Sequence, residues 1–79
     1  MARIDHSCIR RKSGNGTSSI HSIVPATYRS FVIGSEKYFQ IDTYGNPTRE
    51  VPTQPSQKIQ FDKKTAEKII KLLREEFGL

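Results

Sequence analysis

Seven residues, Tyr38-Phe39-Gln40-Ile41-Asp42-Thr43-Tyr44, alternate in the way a half-buried strand requires. Successive strand side chains take opposite faces, so Phe39, Ile41 and Thr43 point one way. Tyr38, Gln40, Asp42 and Tyr44 point the other. The first set suits a core. The second mixes aromatic and polar groups, the composition of a wet binding face. What that second face touches is the functional question.

The flanking segments build a sheet around this strand. Tyr28–Ile33 reads as its neighbour, with Phe31 and Ile33 on one side and Tyr28, Ser30 and Val32 on the other. Gly34-Ser35 supplies a turn in which glycine takes positive φ, so the two runs form a hairpin. Upstream, Ile20–Val24 is a candidate first strand that stops at Pro25, because proline cannot donate to a ladder. Downstream, Gly45-Asn46-Pro47 breaks the strand. Thr48–Val51 is a candidate short strand and Thr53–Ser56 a loop. Lys58-Ile59-Gln60-Phe61 alternates again, with Ile59 and Phe61 inward and Lys58 and Gln60 outward.

The chain then turns helical over residues 63–77. Asp62 is the expected N-cap, since a carboxylate accepts from first-turn amides and sits at the positive end of the dipole. Ala66, Ile69, Ile70, Leu73 and Phe77 form one apolar stripe at spacings of three and four. Glu67 and Lys71 lie four apart in the favourable order. Gly78 suits the C-terminal cap. The fold class is therefore α+β: an antiparallel sheet of about four strands with one C-terminal amphipathic helix packed on one face. The expected inward set is Phe31, Ile33, Phe39, Ile41, Ile59, Phe61, Ile69, Ile70 and Leu73.

Residues 1–19 read as a flexible basic N-terminal arm and residues 20–79 as a single domain. The arm holds the triplet Arg10-Arg11-Lys12, then a small polar run, Ser13–Ser19, too poor in apolar groups to offset the entropy of ordering it. With 79 residues and 34% apolar content, the chain has little material for a closed core. A second copy is the commonest source of extra buried area, so a homodimer is expected.

The net charge of +5 favours anionic partners. Residues 1–40 hold six Lys and Arg against two acids, and residues 41–79 hold seven against six, so the excess lies in the N-terminal half. The single cysteine, Cys8, points to a reducing setting. No apolar run is long enough for a membrane span, and no apolar segment at the N-terminus resembles a secretory signal. A soluble, cytoplasmic protein without a membrane partner is the expectation.

Catalysis is poorly supported. His6 and His21 are the only histidines, and neither has a ligand companion at useful spacing. Cys8 lies beside basic residues but in the expected arm, where no rigid base can serve it. Ser13-Gly14-Asn15-Gly16 follows no strand and lacks the lysine of a phosphate loop. No enzyme activity, metal or cofactor is expected.

A binding face is better supported. Tyr38, Gln40 and Tyr44 share the side of the sheet away from the helix with Lys58 and Gln60, and Arg49 can reach it from the adjoining turn. Aromatics stack on bases of any sequence, while Lys and Arg follow phosphates. Arg10, Arg11 and Lys12 in the arm would add phosphate contacts. Asp42 is an anion in the middle of this set and needs a neutralising neighbour.

Three pieces carry a family resemblance: Tyr38–Tyr44, then Lys58-Ile59-Gln60-Phe61-Asp62, then Ala66–Leu73. Over Lys37–Leu73 the chain resembles the positive-cofactor-four-like family of single-stranded-DNA-binding transcriptional coactivators. The resemblance implies a homodimer whose sheets grip a single strand, with Tyr38 and Tyr44 stacking and Lys58 meeting phosphate. It departs at Pro55-Ser56-Gln57, where the family has a basic, glycine-containing approach to the last strand. The competing expectation is a protein-interaction or accessory module that docks a partner on the open face or on a free edge strand.

Overall fold

The structure is a computed structural model that describes residues 1–12, 19–45 and 55–79. The candidate strand at Thr48–Val51, Arg49 within it, and the polar run from Ser13 to Ser18 lie outside these residues. The elements are β1 (Ala2–Ile4), β2 (Ala26–Ile33), β3 (Glu36–Thr43), β4 (Gln57–Asp62) and α1 (Lys63–Phe77). They form one four-stranded sheet in the order β1-β4-β3-β2. The two longer junctions are antiparallel, and β1 joins β4 in parallel. The α+β plan with a single C-terminal helix is thus present, with one parallel strand added to it.

The hairpin turns on Gly34 at φ +64°, with Ser35 on the ordinary side of φ. Glycine at the first central position is what a two-residue turn of the mirror type demands. Such a short turn fixes the register: Ile33 opposes Glu36, and Phe31 opposes Tyr38. Odd positions of β2 therefore share a face with even positions of β3. Phe31 and Ile33 do not join Phe39 and Ile41 in the core, as the sequence reading placed them. They lie on the opposite face beside Tyr38, and Ile33 is 67% exposed. Tyr28, Ser30 and Val32 take their place on the helix side.

On that side Tyr28 stacks on Phe39, and Phe39 on Phe61, each pair with centroids 5.4 Å apart. Ala66 of α1 borders an apolar cleft with Ser30, Phe39 and Phe61, which places the helix over this row. The Asp62 carboxylate accepts from the Thr65 amide at 2.9 Å, and Gly78 closes the helix at φ +68° with its amide on the Arg74 carbonyl. Both expected caps are in place.

The helix is rotated relative to its strongest apolar stripe. Thr65 is fully buried and Lys68, Ile69 and Leu72 are half-buried, whereas Ile70, Leu73 and Phe77 are exposed. The cause is the N-terminal segment. Lys68 Nζ donates to the backbone carbonyls of His6 at 2.9 Å and Ile9 at 3.4 Å, so residues 6–9 lie against the Lys68 side of the helix.

Two further expectations are corrected. Residues 1–19 are not uniformly a flexible arm: Ala2–Ile4 pairs with Ile59–Phe61, which satisfies the otherwise open edge of β4. Ile20–Val24 is not a strand. Pairing starts at Pro25, whose carbonyl accepts from the Tyr44 amide at 3.0 Å, and runs forward from there, while Ile20 and Ile23 stay exposed.

Among the described residues no apolar side chain is fully buried. The buried ones are polar: Thr65, Gln40 and Asp42.

Candidate nucleic-acid interface

The register sets out the face away from α1 as transverse rows. Directly opposed residues share a face, so Arg29, Gln40, Gln60 and Arg3 form one row across all four strands. Phe31, Tyr38 and Asp62 form the row on one side of it, and Thr27, Asp42 and Lys58 the row on the other.

Within this grid the polar groups are tied to one another. Gln60 Nε2 donates to Gln40 Oε1, and Gln40 Nε2 donates to Asp42 Oδ1, both at 2.7 Å. Gln40 is 3% exposed and Asp42 8% exposed. The chain of donors ends on a carboxylate, which can only accept, so the orientation of both amides follows from Asp42. The Asp42 carboxylate is therefore withdrawn from the surface and engaged, with Lys58 directly across the ladder.

One aromatic ring carries a cation. Phe31 and Tyr38 stack with centroids 5.8 Å apart, and the Arg3 guanidinium lies over the Tyr38 ring at 5.8 Å. That distance is within the range of a cation–π contact. Arg3, Lys58 and Gln60 also line a shallow cleft with Met1 and Ala2.

Of the residues expected at the site, Tyr38, Gln40, Lys58 and Gln60 come together on this face. Tyr44 is half-buried beside it, its hydroxyl 3.0 Å from Thr27 Oγ1. Arg49 is outside the described residues. Arg10, Arg11 and Lys12 are exposed, and Arg11 pairs with Glu76 at 2.7 Å, which turns it toward the end of the helix rather than toward the grid.

Among the grid residues that the sequence reading did not select are Arg3, Arg29 and Phe31. A signal for two of them was available. The turn Gly34-Ser35 makes the hairpin register odd-to-even, which alone brings Arg29 opposite Gln40 and Phe31 opposite Tyr38. Arg3 had no such signal, because a strand of three residues carries no readable period.

Two carboxyls sit below the ordinary range near the helix start. The Asp62 carboxyl is lowered by the hydrogen bond from the Thr65 amide. The Asp5 carboxyl is lowered by the Ser7 hydroxyl and then the Ser7 amide. Both belong to the capping region, and Asp62 also ends the Tyr38 row of the grid.

Among the described residues there is no group of three or more His, Cys, Asp or Glu side chains placed to hold a metal ion. No helix among them is long and apolar enough to cross a membrane. Comparison of the chain with protein-family models, with curated proteins and with solved structures returned no match.

Proposed function

We propose that this chain is a non-catalytic, cytoplasmic nucleic-acid-binding domain that takes single-stranded DNA on its helix-free face and works as a homodimer. One observation carries the reading. Arg3 and Arg29 lie in the row beside the stacked pair Tyr38–Phe31, and Lys58 lies one row further on, all on a sheet face that α1 does not cover.

The chemistry follows from that set. A single strand offers unstacked base faces, and each base laid on an aromatic ring contributes about 1–3 kcal/mol. A duplex hides those faces, so it gains only the phosphate term. Three cations within one face neutralise phosphates and release counterions, which makes binding fall steeply with salt. Gln60, oriented by Gln40 and Asp42, presents amide groups to a base edge without favouring one base strongly. The pattern shared with the positive-cofactor-four-like coactivators supports the same ligand and a role in transcription regulation.

The test is a fluorescence titration of labelled single- and double-stranded oligonucleotides at two salt concentrations. The reading expects tighter binding to the single strand and a steep loss of affinity at the higher salt. Binding that prefers the duplex, or that ignores salt, overturns it.

A further inference from the structure

The two edges of the sheet are unlike. The β1 edge is three residues long. The β2 edge is eight residues long, paired to β3 without a bulge, and exposed at seven of its eight positions. It contains no proline and no lysine, two of the usual devices that blunt an edge, and Arg29 is its one charged residue.

Which of its backbone groups are free can be worked out. The Tyr44 amide bonds to the Pro25 carbonyl, and hydrogen-bonded pairs alternate along an antiparallel ladder. Odd positions of β2 are therefore bonded to β3, and Ala26, Tyr28, Ser30 and Val32 turn their amides and carbonyls outward. Among the described residues nothing pairs with them.

We infer that β2 pairs with β2 of a second copy of this chain, antiparallel, with Ser30 opposite Ser30 on the twofold axis. A twofold contact must be self-complementary, and this register is. It sets Tyr28 against Val32 on the helix side, where both are exposed in the single chain. On the other face it sets Thr27 against Ile33 and Arg29 against Phe31. The line Arg3–Tyr38–Phe31 then gains the partner copy's arginine on the free side of Phe31. Cations and rings alternate across the junction, and the two grids become one continuous surface on an eight-stranded sheet. Shifting the pairs by two residues, with Arg29 on the axis, sets like charges against each other and loses the Arg29–Phe31 contact.

The inference names the surface for the homodimer proposed above, and its test needs no nucleic acid. In a Cys8→Ser background, Thr27→Cys and Ile33→Cys are introduced together. In the assigned register Thr27 opposes the partner's position 33 at a non-hydrogen-bonded pair, where Cα atoms lie about 4.5 Å apart, within disulfide reach. Within one chain the two positions are about 20 Å apart along the strand, so no internal bond forms. Mild oxidation should convert most of the protein to a covalent dimer, while Thr27→Cys alone should not crosslink. Light scattering of the unmodified chain should give twice the 9.0 kDa chain mass. Ser30→Pro removes an outward amide and should give a folded monomer by circular dichroism and light scattering. A wild-type monomer at hundred-micromolar concentration overturns the inference, and so does a dimer that fails to crosslink in the double-cysteine chain. Loss of oligonucleotide binding with intact crosslinking would count against the ligand and not against this contact.

Discussion

The two faces of the sheet have exchanged the roles usually given to them. The face under α1 carries Tyr28, Phe39, Ile41, Ile59 and Phe61, yet none of these is fully buried. The face away from the helix carries Gln40 and Asp42, which are among the most buried side chains described. The difference teaches where each face is finished. The polar face is complete within one chain, because its central amides and carboxylate bond to one another. The apolar face is incomplete, because one helix is too narrow for four strands and its own Ile70, Leu73 and Phe77 remain exposed. Stability should therefore depend mainly on the apolar face and, on the proposed reading, ligand affinity mainly on the polar one.

Substitutions at neighbouring positions of β3 test that division, because adjacent residues fall on opposite faces. Phe39→Ala should show the largest effect, a loss of about 3 kcal/mol in denaturant unfolding, the low end for a phenylalanine since Phe39 is only partly buried. The fraction that remains folded should bind oligonucleotide normally. Tyr38→Ala should do the reverse, weakening the single-strand complex by about 1–3 kcal/mol with little change in unfolding midpoint. If both variants lose stability and affinity together, the division fails. Asp42→Ala strips the Gln40 amide of its acceptor in a buried position and should cost about 1–2 kcal/mol of stability.

Smaller effects sharpen the same contrast. Arg29→Ala and Lys58→Ala should each reduce the slope of log affinity against log salt by about one, whereas Lys64→Ala on the exposed side of α1 should leave it unchanged. Acid should weaken the helix start. The Asp62 carboxyl is held below its ordinary value by the Thr65 amide, a bond the unfolded chain lacks. Its contribution is complete above about pH 4 and is lost as pH falls through the lower folded value. Asp62→Asn still caps but does not titrate, so its unfolding midpoint should vary less with pH in that range.

Local chemistry made much of this architecture readable. Asp62 and Gly78 delimit the helix because capping depends on one carboxylate and one φ. Gly34-Ser35 locates the hairpin for the same reason. What failed was parity between strands. Phe31 and Ile33 look like core by hydrophobicity, and only counting residues through the turn moves them to the opposite face. Long-range contacts were not readable at all. The parallel seat of Ala2–Ile4 on β4, and the rotation of α1 that buries Thr65 and exposes Ile70, depend on residues more than fifty positions apart. No local period encodes such a choice. At the candidate site, Tyr38, Gln40, Lys58 and Gln60 followed from alternation within single strands. Arg29 and Phe31 required the register, and Arg3 required the fold.

Side-chain NMR during a titration with single-stranded DNA tests the central claim most directly. Resonances of the Arg3 and Arg29 guanidinium groups and of the Gln60 amide should move, while the methyl groups of Ile41 and Ile59 on the helix side stay in place. Movement confined to those methyl groups, with the arginine and glutamine signals unchanged, would contradict it.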